Sequence, residues 1–95
     1  MTSAELLQIL KNDLQMMTDS NDAYLSQLLD FAKAQIEREG IVLSNTIECN
    51  MLVVQYAAYL FRKRGSGETA MPRFLRYSLN NLLFSQKGGS ANDNS

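Results

Sequence analysis

The chain has 95 residues, 45% of them hydrophobic, and a formal net charge of −1. This length fits a single domain, and the hydrophobic share is typical of a folded globular chain. The longest apolar stretch, from Met51 to Phe61, is about half of the roughly 20 residues that a helix needs to cross a bilayer. The sequence therefore excludes a transmembrane helix, and no signal peptide is visible at its start.

Histidine is absent from the sequence, and cysteine occurs once, as Cys49. One cysteine cannot form an intramolecular disulfide, so a reducing, intracellular compartment is the default expectation. Without histidine the Ser-His-Asp and Cys-His nucleophile systems cannot form, and a structural zinc site has too few ligands. We therefore expect no enzyme activity, no cofactor and no metal.

The charges are unevenly divided between the two halves of the chain. Residues 1–48 carry eight acids and three bases, whereas residues 49–95 carry two acids and six bases, which gives balances of −5 and +4. Such asymmetry can mark complementary interaction surfaces, or it can arise from two solvated helix faces that differ by chance.

Helical patterns dominate the chain, because apolar residues recur at intervals of three and four and no run alternates as a half-buried strand would. The first helix is predicted from Ser3 to Asn12, and the spacing of Thr2 and Glu5 predicts a capping box at its start. The second helix is predicted from Asn21 to Glu39, and Gly40 follows at the position that commonly ends a helix.

The third helix is predicted from Thr46 to Arg64, with Asn45 and Glu48 as a plausible capping pair. Its middle, residues 51–61, is apolar all round, and such a helix is buried either at the centre of its own domain or against another subunit. Because three other short helices can hardly cover every face, this pattern predicts self-association.

A flexible loop from Gly65 to Thr69 is predicted to precede a fourth helix, whose first position suits Pro72. From Ser85 onward the chain is rich in Gly, Ser and Asn, and such a segment buries too little apolar surface to offset its ordering entropy. The sequence thus predicts an all-α fold, with a four-helix domain over residues 1–84, a central apolar third helix and a flexible tail over residues 85–95.

Two other functional patterns are weaker. The Asp-rich segment from Asp13 to Asp22 lacks the glycine and distal glutamate of a calcium-binding loop, so its side chains are predicted to form caps and turns. The predicted break between the third and fourth helices exceeds the three or four residues of a helix-turn-helix. A small helical regulator that binds DNA or a partner protein stays open as the alternative function.

The order of the segments resembles the head–tail connector (adaptor) proteins of tailed bacteriophages. The resemblance covers about residues 2–84 and depends on order and spacing together. The segments that carry it are the short first helix ending in residues 11–14, the Asp-rich residues 19–22, the Leu- and Ala-rich second helix ending at Gly40, the apolar residues 51–62 with tyrosines at their centre, and a final helix after Pro72.

The resemblance implies a structural role without catalysis. Such proteins form rings, usually twelvefold, that sit beneath the portal protein, extend the DNA channel and offer a platform for the next neck or tail-completion protein. DNA would pass through the lumen without sequence-specific binding. The expected location is the virion neck, with assembly in the host cytoplasm.

In such a ring we expect acids of the second helix to meet bases of the 62–76 segment on a neighbouring subunit. The glycine-rich loop and the tail are expected to dock onto the portal or the next neck protein, although the tail can also be a frayed end without function. The candidate subunit-interface residues are Asp30, Glu37, Glu39, Arg62, Lys63, Arg64, Arg73 and Arg76. The candidate docking residues are Gly65, Ser66, Gly67, Glu68, Gln86, Lys87, Gly88 and Gly89.

Overall fold

The computed structural model describes residues 1–66 and 70–92 of the chain. Within these ranges the chain forms helices and no strand, and the predicted all-α, four-helix fold is confirmed. The four helices are α1 (Ser3–Asp13), α2 (Asp22–Arg38), α3 (Ile47–Ser66) and α4 (Arg73–Asn92).

The predicted capping box opens α1. The Thr2 hydroxyl accepts a hydrogen bond from the Glu5 amide at 3.1 Å, and the Glu5 carboxylate accepts one from the Thr2 amide at 2.8 Å. Two amides that the helix leaves without partners are thereby satisfied. The Thr2 hydrogen bonds also hold the pKa of the Glu5 carboxyl below its ordinary value.

The prediction that Asn45 caps the third helix is wrong by one residue. Thr46 precedes α3, and its hydroxyl accepts the Cys49 amide hydrogen bond at 3.2 Å. The Asn45 side-chain oxygen instead accepts hydrogen bonds from the Asn50 side chain, at 3.0 Å, and from the amino group of Met1. Asn45 therefore joins the chain start to α3 rather than capping the helix.

Two helices are followed by a residue with left-handed backbone. Gly40 follows α2 with a φ of 97°, as its position in the sequence predicts. Gln15 follows α1 with a φ of 60°, and the amides of Gln15 and Met16 bond back to the carbonyls of Asn12 and Lys11. This is the pattern of a Schellman motif, with glutamine in the place where glycine costs least.

The middle of α3 is the centre of the fold. Residues 52–54 and 56–58 are all buried, and α1, α2 and α4 each pack against this helix. At 100° per residue these two runs cover about two thirds of the helix circumference. The chain itself covers most of α3, so the argument for self-association from an uncovered apolar helix does not hold.

The fourth helix extends beyond the predicted domain boundary at Ser85. It continues to Asn92, and the Gln86 side chain accepts the Val42 amide and donates to the Val42 carbonyl, each at 2.8 Å. Gln86 therefore belongs to the folded unit rather than to a tail. The radius of gyration is 14.4 Å, which exceeds the value of about 12 Å expected for a compact chain of this length.

Lys11 connects α1 to the Asp-rich loop. Its ammonium lies 2.7 Å from Asp19 and 2.9 Å from Asp22, and the Lys11 side chain is 9% exposed. The hydrogen bond to Asp19 raises the pKa of Lys11 above its ordinary value, and the same bond lowers the pKa of Asp19. Besides forming the predicted turn, this loop therefore contributes to an ion cluster that joins α1 to the start of α2.

The left-handed Gln15 predicts an unusual gain of stability from glycine. The change Gln15→Gly should raise the free energy of unfolding by about 1 kcal/mol, because a side chain disfavours left-handed backbone. Gln27→Gly, at an exposed site inside α2, should lower it by about 1 kcal/mol. Urea denaturation measures both, and a loss of stability in Gln15→Gly would contradict the assigned backbone.

The Lys11 cluster predicts a specific dependence of stability on pH. Because the folded pKa of Asp19 lies below the ordinary 3.8, its contribution is full above that pH and is lost as pH falls through the folded value. Because the folded pKa of Lys11 lies above 10.5, its contribution is full below pH 10.5 and is lost as pH rises through the folded value.

Thermal melting of Lys11→Met between about pH 2 and pH 5 should therefore show a smaller acid-induced decrease than the unchanged protein. Asp30→Asn, which removes an exposed carboxylate outside this cluster, should retain the full decrease. An unchanged acid limb in Lys11→Met would exclude the cluster as a source of the pH dependence.

Candidate subunit interface

Two depressions lie between α3 and α4 and share Gln55 in their lining, and we call them together the groove. The first has a volume of about 470 Å³. The first part is lined by Glu48, Met51, Leu52, Gln55, Ser78, Asn81, Leu82 and Ser85. The second part is lined by Gln55, Tyr59, Arg62, Lys63, Ala70, Pro72 and Phe74.

The floor of this groove is the side of α3 that the other helices leave open. Glu48, Met51, Gln55, Tyr59 and Arg62 recur at intervals of three and four, so they form one stripe along the helix. This stripe occupies the third of the circumference that residues 52–54 and 56–58 do not. The open side is mixed rather than purely apolar, because it carries both charged and polar side chains.

The outer face of α4 carries exposed aromatic side chains. Phe74, Tyr77 and Phe84 are 58%, 62% and 75% exposed, and helical geometry places them on one side of α4, next to the groove. The opposite side of the helix packs on the core through Leu75 and Leu79, which are fully buried. The helix therefore has two faces with apolar side chains, and among the described residues only the Leu75 and Leu79 face is packed on the core.

A second exposed face lies on α2. Phe31 is 50% exposed there, and the neighbouring Gln27, Asp30, Ala34 and Glu37 are exposed as well. The core side of α2 packs against α3, so this face points away from the centre of the fold. Because Ala34 is small and Phe31 is large, the Phe31 ring projects from this face and can enter a groove.

One of the predicted intersubunit ion pairs is intramolecular. Arg76 donates to both oxygens of Glu39 within the same chain, at 2.8 Å and 3.2 Å. This pair raises the pKa of Arg76, and burial, followed by the Glu39 charge, raises the pKa of Tyr56 beside it. Glu39 and Arg76 therefore tie the end of α2 to α4, and the expectation that they join neighbouring subunits is corrected.

The basic end of α3 is also partly engaged within the chain. Arg62 lies 3.2 Å from Asp13, and Arg64 lies over the ring of Phe61, 4.2 Å from its centre. Lys63 lies 5.4 Å from the centre of the Tyr59 ring. All three side chains are still exposed, so their charge is available at the surface.

The remaining predicted interface residues, Asp30, Glu37 and Arg73, are exposed and make no ion pair with the described part of the chain. The two acids lie on the exposed face of α2, and Arg73 opens α4. Together with the exposed Arg62, Lys63 and Arg64, these three residues are the part of the charge prediction that is compatible with a contact between chains.

The predicted docking residues fall in three places. Gly65 and Ser66 are the last residues of α3 rather than part of a loop, while Gly67 and Glu68 lie outside the described residues. Gln86 is already bonded to Val42. Lys87 is exposed in α4, and the backbone at Gly88 and Gly89 is helical.

Cys49 is buried, as a small apolar residue would be. Burial by itself would raise the pKa of the thiol, but hydrogen bonds from Ser44 and Thr46 outweigh burial and lower it. Among the described residues, no group of three or more acids and cysteines is placed to hold a metal ion, and no helix is long and apolar enough to span a bilayer.

Comparison with protein families, curated proteins and solved structures finds no match for this chain.

The sequence alone does not predict the aromatic surface of α4. Phe74, Tyr77 and Phe84 are visible in the sequence at intervals of three and seven, but Leu75, Leu79 and Leu82 form an equally regular stripe. Periodicity shows that both stripes exist, whereas only the packing shows which one is buried.

The Glu39–Arg76 assignment predicts energetic coupling within one chain. A double-mutant cycle with Glu39→Gln and Arg76→Gln should give a coupling energy of about 0.5–1 kcal/mol, since the pair is bidentate but partly exposed. Thermal or chemical denaturation measures it, and the value should not depend on protein concentration. Coupling that disappears on dilution would indicate a contact between chains instead.

Proposed function

We propose that the chain is a structural subunit of a tailed-bacteriophage neck, a head–tail connector that forms a ring beneath the portal protein. The ring would extend the DNA channel and offer a platform for the next neck or tail-completion protein. In this proposal the protein acts in the virion neck after assembly in the host cytoplasm, and it has no catalytic task.

One structural observation supports the proposal most directly: the subunit has two unlike exposed faces on different sides of α3. The α4 side combines a groove with three exposed aromatic residues, and the α2 side carries a single exposed phenylalanine among alanine and acids. Surfaces of this kind suit heterologous, head-to-tail contacts, which close into rings when the rotation between subunits allows it.

The order of elements supports the same proposal. A short capped helix, an Asp-rich loop, a longer helix ending at Gly40, a central helix and a helix after Pro72 follow one another as in the connector proteins that the sequence resembles. The regulator alternative gains less support, because six residues separate Ser66 from Arg73 and the Arg76 side chain is held by Glu39. A helix-turn-helix has a turn of three or four residues.

The expected result is a ring of defined stoichiometry in native mass spectrometry, either for the purified protein alone or after addition of purified portal protein. Rim ion pairs mainly steer association, so higher salt should weaken assembly while leaving the melting temperature of the subunit nearly unchanged. A protein that stays monomeric at high concentration and also fails to bind portal protein would contradict the proposal.

The docking role of the chain end can be tested in the same assay. A chain lacking residues 88–95 keeps Gln86 and its bonds to Val42, so the subunit should retain its melting temperature and form rings. If these residues contact a neighbour in the neck, rings of the truncated chain should bind that neighbour less well. Unchanged binding would exclude the docking role and leave the ring intact.

A further inference from the structure

Beyond the proposed ring, and resting on it, we infer that the occupant of the groove between α3 and α4 is the exposed face of α2 from a second copy of this chain. The α2 face is defined by Gln27, Asp30, Phe31, Ala34 and Glu37, and the groove by its lining residues described above. Each subunit then gives its α2 face to one neighbour and its groove to the other.

The groove has the dimensions of a helix site. It lies between two helices, and its floor is the side of α3 that the other helices leave open in the part of the chain that the structure describes. From Glu48 to Arg62 it spans about 21 Å at 1.5 Å per residue, and α2 from Ala23 to Arg38 spans about 22 Å. A helix placed there would complete the cover of α3 with the same geometry that α1, α2 and α4 already use.

Charge complementarity selects α2 over the other exposed surfaces. One end of the groove is basic, with Lys63 and Arg73 exposed near it, and its other end carries Glu48. The α2 face is acidic, because it carries Asp30 at the middle of the helix and Glu37 near its end. If α2 lies parallel to α3 of its neighbour, Glu37 approaches the basic end of the groove, and Asp30 lies beside Gln55 rather than beside Glu48.

The apolar contents of the two surfaces also correspond. Phe31 is the large apolar side chain in the middle of the α2 face, whereas the groove offers Met51, Leu82 and the adjoining rings of Phe74 and Tyr77. Ala34 allows the helix backbone to approach closely. A buried aromatic anchor surrounded by polar groups is the usual source of most of the binding energy in an interface.

The two surfaces are different, so mixing experiments give a sharp test. Phe31→Asp damages only the α2 face, and Asn81→Glu places a negative charge in the groove that would receive this acidic face. Each variant alone should associate at least about 30-fold more weakly than the unchanged protein. Met17→Asp, at an apolar residue that is 95% exposed and lies on neither surface, is the matched control and should assemble normally.

Mixed in equal amounts, the two variants should form a one-to-one dimer, because the intact α2 face of Asn81→Glu can bind the intact groove of Phe31→Asp. The dimer should grow no further, because the two surfaces left open are the damaged ones. Native mass spectrometry detects this species. Circular dichroism melting checks that each variant is folded, as we expect because Phe31 and Asn81 are exposed. Cross-linking gives a second readout: in a Cys49→Ala background, Asp30→Cys and Gln55→Cys chains, altered at the middle of each surface, should form a disulfide with each other when mixed.

The possible failures are distinguishable. If Phe31→Asp or Asn81→Glu assembles like the unchanged protein, the inference is wrong while the ring stands. If both variants fail and Phe31→Cys chains link only to one another, the contact is isologous and the inference is wrong. If Asn81→Glu forms rings but loses portal binding, the groove belongs to the portal instead. If the unchanged protein neither assembles nor binds portal protein, the proposed function and this inference both fail.

Discussion

The fold depends on covering the middle of α3. Residues 52–54 and 56–58 place apolar side chains around most of one helix, and leaving them in water would cost about 25 cal/mol for each Å² of apolar surface. α1, α2 and α4 pack around α3 and bury these side chains. The side of α3 that they leave open is the stripe where polar residues such as Glu48 and Gln55 interrupt the apolar pattern.

Much of the fold could be predicted from the sequence, because its signals are local. The Thr2–Glu5 capping box, the glycine after α2 and the apolar intervals of each helix act within a few residues, and all are present in the structure. The left-handed Gln15 was not predictable in this way. Its conformation is required by the path from α1 into the Asp-rich loop, where Lys11 binds the carboxylates, and no local preference of glutamine favours it.

The candidate site was less predictable than the fold, because charges find partners through packing. Composition showed an acidic half and a basic half, but only the packed chain shows that Glu39 and Arg76, 37 positions apart, bind each other. The composition from Ser85 onward predicts a flexible tail that includes Gln86, yet the Gln86 side-chain amide bonds both backbone groups of Val42. Both errors come from contacts that no short window of sequence contains.

The two exposed faces are held in fixed relation by the core between them. The α2 face and the groove lie on helices that meet at α3, where Ala57 and Ala58 are fully or almost fully buried and set how closely the neighbouring helices approach. In a head-to-tail assembly, the angle between the two contact surfaces determines how many subunits close a ring, or whether they close at all. If the chain forms the proposed ring, the close packing at Ala57 and Ala58 contributes to the angle between its two contact surfaces.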